Sequence, residues 1–193
     1  MMHYFFKNSV QNNCKFKKGF TLVEAMVSIA ILSIALLGPF YAAQQSLTAS
    51  NTAKDQLTAS MLGQEAIEYV RSIRDGDYLY ISSNPATTRT WMYGLDGNGG
   101  TANCFTPNKC TVDPEQQLIT ACSSGNCSPY PLYINASTDL YNQSNSGMPT
   151  TFVRSVQLMT ISATEVKVVA TVSWYYHNAP FSTSITEYLD NWQ

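Results

Sequence analysis

The chain has 193 residues, 45% of them hydrophobic and only 12% charged; that charged fraction is about half the globular average, and the length suits one domain plus a membrane or targeting element. The formal net charge is −2, falling to −6 without Lys7, Lys15, Lys17 and Lys18, which all precede residue 20 with no acid among them. No basic patch follows, which argues against direct nucleic-acid binding, and the Ser-, Thr-, Asn- and Tyr-rich remainder is polar without charge, as suits an extracytoplasmic surface.

From Phe20 to Ala43 the chain carries one charge, Glu24. A helix of this length measures about 36 Å at 1.5 Å per residue, against about 30 Å for a bilayer core, so it can span. Lys17 and Lys18 directly before it place the N-terminus in the cytoplasm and the rest outside. A secretory signal peptide is the rival reading, with Tyr41-Ala42-Ala43 as its cleavage site. Its apolar stretch would be shorter, and Glu24 interrupts the start of this one. At the centre of a membrane helix an acid costs about 2.5–3.5 kcal/mol on insertion scales, and less near the end. An ordinary anchor would keep Glu24 in its first turn, where the helix macrodipole favours it.

Lys17-Lys18-Gly19, then Phe20-Thr21-Leu22-Val23-Glu24 and an apolar run, resembles the processing motif of type IV prepilins and type II secretion pseudopilins. The resemblance implies that residues 1–19 are a cytoplasmic leader, cut after Gly19 by a membrane-embedded aspartic prepilin peptidase, and that the amine of Phe20 is then methylated. A free α-amine has a pKa of about 7.7–8.0, so it is largely cationic at neutral pH. The resemblance implies that Glu24 pairs with this amine on a neighbouring subunit, an acid costly alone becoming acceptable once paired in an assembly. It also implies a structural subunit without catalytic activity or cofactor. The implied partners are the prepilin peptidase, other pilin or pseudopilin subunits and an inner-membrane assembly platform, with the membrane holding the chain before it enters an extracellular or periplasmic filament. Met26-Val27-Ser28 and the stretch Gln64 to Arg71 look more like minor subunits than like a major pilin. The competing reading is a single-pass anchored binding or adhesion domain that never polymerises.

Gly38-Pro39 is an expected helix break, because proline removes an amide donor and clashes with the carbonyl of Ala35. A simple kink is one reading; the resemblance implies a segment that melts and extends in assembled pili. From Gln44 to Arg74 the residues Leu47, Leu57, Met61, Leu62, Ala66, Ile67, Val70 and Ile73 recur at helical spacing. They read as the second half of one helix of about 55 residues, with Arg71 and Arg74 in its last turn and Gly76 as its stop. The expected division is therefore a leader at 1–19, a transmembrane or filament-core helix at 20–46, an amphipathic half at 47–75, and an extracytoplasmic domain at 76–193.

Residues 76–129 read as a loop region. Five cysteines occur in the chain, Cys14 among the N-terminal lysines and the other four clustered at Cys104, Cys110, Cys122 and Cys127. Their gaps are too wide for zinc knuckles, and outside the cytoplasm they read as two disulfides. Sequential pairing is expected among three connectivities. Asp96-Gly97-Asn98-Gly99-Gly100 resembles the start of a calcium loop, and some pseudopilins bind calcium in such a loop. The further acid and closing Glu of that pattern are missing, which favours a Gly-rich turn and no metal.

Strands follow. Val166, Val168, Ala170, Val172 and Trp174 alternate with polar or outward residues. Phe152–Ile161 precedes them across a turn at Ser162-Ala163-Thr164, and Phe181, Ile185 and Leu189 form a third set after a loop at His177-Asn178-Ala179-Pro180. Tyr130–Asn135 is a candidate fourth strand. The expected fold is α+β, a long spine helix laid on a small antiparallel sheet of three or four strands. Trp174 and Trp192 read as packing residues and His177 as a solvated turn residue. No P-loop, Rossmann or HExxH pattern occurs, and Glu65 and Glu68 lie on a helix that already has a packing role.

Overall fold

A computed structural model describes residues 19–99, 102–145 and 147–191. Lys17, Lys18, Cys14 and Trp192 therefore lie outside the described residues, as does Gly100. The fold is α+β, a long N-terminal helix packed on an antiparallel sheet with two disulfides in the loop region. The chain divides between Thr48 and Ala49 into two compact units.

Helix α1 spans Leu22–Ser83, 62 residues. Its assignment runs unbroken through Gly38 and Pro39, so the expected break at that pair is not present in the single chain. Proline removes only one amide from the ladder, and membrane-type helices tolerate it. The expected stop at Gly76 is also corrected, since the helix continues for seven more residues to Ser83. Gly76 stays inside it because Asp77, one residue on, is drawn into the domain by an ion pair with Arg89 at 2.6 Å. The C-terminal turn consequently holds no basic residue; Arg71 instead pairs with Glu68 and Glu187, and Arg74 with Asp75.

Among the described residues the sheet has seven strands, all antiparallel, against the three or four expected. The three long ones lie where alternation predicts them: β5 (Met148–Thr160), β6 (Glu165–Tyr176) and β7 (Ala179–Asp190), a meander with β6 in the middle. The other four are short. β1 (Cys110–Asp113) and β2 (Leu118–Ala121) form a hairpin inside the region read as loop, and β3 (Pro131–Ile134) pairs with a two-residue β4 (Tyr141–Asn142). β1 and β3 both lie on the free side of β5, one at Val156 and the other from Met148 to Val153, so the long strand carries two short neighbours end to end. β3 falls within the candidate strand at Tyr130–Asn135, whereas β1, β2 and β4, of two to four residues, show no readable alternation. The turn expected at residues 177–180 shrinks to His177 and Asn178, with φ of 47° and 64°. Positive φ at both central residues makes a two-residue hairpin that matches the strand twist, so Ala179 and Pro180 already belong to β7.

The helix face on the sheet is Ala59, Leu62, Gly63, Ala66, Ile67 and Val70. Ala66, Ile67 and Val70 meet Val156, Leu158, Val168 and Ala170; Ala59 and Leu62 meet Leu132, Phe152, Val172 and Trp174. At Gly63 the helix comes so near that a Cβ would sit 3.0 Å from Ile185 Cδ1. Leu47, Leu57 and Met61, expected on this face, are exposed. At 100° per residue Leu57 and Met61 lie roughly opposite the buried stripe.

Candidate processing and assembly segment

Gly19, Phe20 and Thr21 precede the first turn of α1 in non-helical backbone. No heavy atom lies within 4 Å of where a Cβ on Gly19 would be, and Phe20 is 76% exposed. The Gly19–Phe20 peptide is thus an accessible bond between a side chain-free residue and a large apolar one. Thr21 opens the helix. Its hydroxyl accepts the amide of Glu24 at 3.2 Å, and its carbonyl accepts the amide of Ala25 at 3.1 Å. Threonine followed three residues later by glutamate is the spacing of a capping box. The Thr-x-x-Glu spacing at Thr21 and Glu24 is legible in the sequence as a helix start. Glu24 is solvent-exposed in the first turn, where the macrodipole favours an acid.

Beyond the cap the helix is apolar all round. Leu22, Val23, Met26, Ile29, Ile31, Leu32, Ile34, Leu36, Leu37 and Phe40 are each more than half exposed, and none of the most apolar window is buried. The segment is long and apolar enough to cross a membrane. Exposed apolar surface of this extent is rare on a soluble chain and marks contact with lipid or protein. The N-terminal helix supports membrane anchoring.

The other candidate residues fall into structural positions. The bridges are Cys104–Cys110 and Cys122–Cys127, the sequential one of the three connectivities. Both sulfurs of the first lie in the main core beside Val156 and Leu158. Asp96 is engaged by its own turn. Its Oδ1 accepts the amide of Asn98 at 2.8 Å, and its Oδ2 accepts Asn98 Nδ2 at 2.8 Å and the hydroxyl of Thr90. Gly97 and Gly99 take φ of 87° and 85°, the left-handed backbone a tight turn needs. Among the described residues no group of three or more His, Cys, Asp or Glu is placed to hold a metal. His177, in the β6–β7 turn, lies against Tyr176 with ring centroids 4.2 Å apart and the planes tilted by 43°.

Two ion pairs were not legible in the sequence. Arg154, on β5, is fully buried; it donates to the carbonyls of Val112 at 2.7 Å and Leu62 at 3.3 Å and pairs with Glu65. One guanidinium thus ties helix, β1 and β5 together. Asp77, 1% exposed, accepts Nε and Nη2 of Arg89 at 2.8 and 2.6 Å. Burial pushes its carboxyl above the ordinary 3.8, with Arg89 pulling the other way.

Residues 14–38 match the family described as the prokaryotic N-terminal methylation motif. No match to the chain is found among curated proteins or among solved structures. The motif implies processing by prepilin peptidase and assembly with other pilins, and it marks a structural family rather than an enzymatic one. The prepilin-type methylation motif, at the head of a capped, exposed apolar helix that continues onto an antiparallel sheet, supports the type IV pilin and pseudopilin family.

Proposed function

We propose that the chain is a minor structural subunit of a type IV pilus or pseudopilus. Residues 1–19 are its leader, cut by the membrane-embedded prepilin peptidase between Gly19 and Phe20 after recognition of Lys17, Lys18, Thr21 and Leu22. The Phe20 amine is then methylated. Residues 20–46 hold the chain in the cytoplasmic membrane, N-terminus inside, until an assembly platform extracts it. The domain faces the periplasm or the exterior, where its disulfides form. In the filament, Glu24 meets the Phe20 amine of a neighbour, and the Gly38-Pro39 pair, a weak point in the helix, extends.

The observation that carries this reading is the methylation motif running into an apolar helical segment none of whose most apolar window is buried. Paired charges in an apolar assembly explain why an acid is kept at position 24. The test is N-terminal sequencing of the membrane-extracted protein together with Glu24→Ala. The expected result is a methylated Phe20 at the mature terminus, and loss of the Glu24→Ala chain from sheared filaments while it persists in the membrane. An intact Met1, or filaments that retain the alanine variant at wild-type level, overturns the reading.

A further inference from the structure

Met61, Leu62 and Glu65 of α1, with Asp139, Leu140 and Tyr141 across from them, line an open groove of about 360 Å³ that lies wholly within the unit beginning at Ala49. Met61 and Leu140 are each more than half exposed, as is Leu57, one turn before Met61 on the same side of the helix. None of these three belongs to either core cluster, so the domain's own packing gives no reason for gathering them. Apolar side chains exposed together and rimmed by polar groups mark contact with another molecule, and methionine suits such a surface because its chain adapts in shape.

Charge selects the partner. The lining holds two carboxylates, Glu65 and Asp139, and no cation. Arg154 answers Glu65 from the interior, whereas Asp139 has no ion pair among the described residues. A third acid reaches the groove's edge: burial and, after it, the charge of Asp55 hold the Tyr141 phenol above its ordinary 10.0. Lys54 lies outside the lining, and with Arg154 it still leaves one of the three acids uncompensated. Anionic lipid headgroups attract basic segments and repel a surface of this sign, so the fitting occupant is protein. We propose that the groove receives a surface of a neighbouring filament subunit on which apolar side chains surround a Lys or Arg. The fold itself provides surfaces of this kind. On the face of the sheet away from α1, Met159, Lys167 and Tyr188 stand side by side as cross-strand neighbours, with Met159 and Tyr188 exposed. The proposal rests on the filament reading and adds to it a contact between domains, distant in sequence from Glu24.

The test places p-benzoylphenylalanine at Leu57 in the full chain, irradiates sheared filaments and identifies the adduct by mass spectrometry. An adduct with another pilin subunit is expected, in a segment carrying Lys or Arg among apolar residues. Met61→Gln and Leu140→Gln, both at exposed positions, should each lower its yield about tenfold, the scale of one apolar side chain buried, with unchanged circular dichroism. Asp139→Asn should lower it about threefold at low salt and leave it unchanged at high salt, as for a screened ion pair. Asparagine accepts the φ of 56° found at that position. Filaments that contain the chain but yield no such adduct overturn this proposal alone. So does an adduct in a segment without a cation, or a yield unmoved by the two glutamine substitutions or by salt. Absence of the chain from filaments overturns the filament reading and this proposal with it.

Discussion

Thr21 and Glu24 show how one residue pair serves two purposes in one stretch. The threonine hydroxyl caps the helix, and the acid three positions on sits where the helix dipole tolerates it, so the single chain can keep a carboxylate at the edge of an apolar run before any neighbour supplies a cation. Asp77 is the opposite case, an acid carried inward by the fold. Because burial raises its carboxyl above 3.8, the folded chain holds this proton more tightly than the unfolded chain does. The stability that this group contributes is complete at low pH and is lost as pH rises through the folded value. Asp77→Asn removes the titration while keeping an acceptor for Arg89. The melting temperature of the variant relative to wild type should therefore climb as pH rises from about 4 and then level off. A relative melting temperature that falls over that range would contradict the assignment.

On the scale of elements, the helix meets the sheet through small residues as much as through large ones. Ala59, Gly63 and Ala66 allow close approach, and Leu62, Ile67 and Val70 fill the space between. Each fully buried Leu, Ile or Val contributes about 1.5–3 kcal/mol, enough to fix which face turns inward even though it leaves Leu57 and Met61 in solvent. Arg154 then locks the register. Its side chain is fully buried, whereas its partner Glu65 is 40% exposed. Removing the acid leaves a cation in the interior, which costs about 3–5 kcal/mol. Arg154→Met leaves an acid that water reaches and fills the space with an apolar chain, for about 1–3 kcal/mol of lost hydrogen bonding. Glu65→Ala is therefore expected to destabilise the domain more than Arg154→Met, as read by near-UV circular dichroism on heating the full chain. The reverse order would mean that the guanidinium is held chiefly by the two carbonyls.

For the whole molecule, the two disulfides are unequal. Both close loops of similar length, with sequence separations of 6 and 5, so the chain-entropy estimate is about 2 kcal/mol for each. Their surroundings differ: Cys104 and Cys110 are part of the main hydrophobic cluster, and Cys122 and Cys127 belong to neither cluster. Replacing the first pair by alanine should lower the melting temperature more than replacing the second, because it opens space in the core as well as freeing a loop. Equal losses would show that loop closure alone sets their worth.

The sequence by itself determined what depends on near neighbours in the chain. The apolar run and its motif, the three long alternating strands and the helical spacing from Leu62 to Val70 are all patterns of period two or 3.6, or a short fixed order of residues. Only the tertiary structure decided what depends on a distant partner. The helix passes Gly76 because Asp77 finds Arg89. The short strands β1, β2 and β4 form because β5, β3 and one another offer edges to pair with, and an arginine on β5 is buried because two carbonyls and Glu65 meet it there. Local periodicity reports which way a side chain faces, but the free energy that buries a charge or lengthens a helix comes from groups brought close only when the chain has folded.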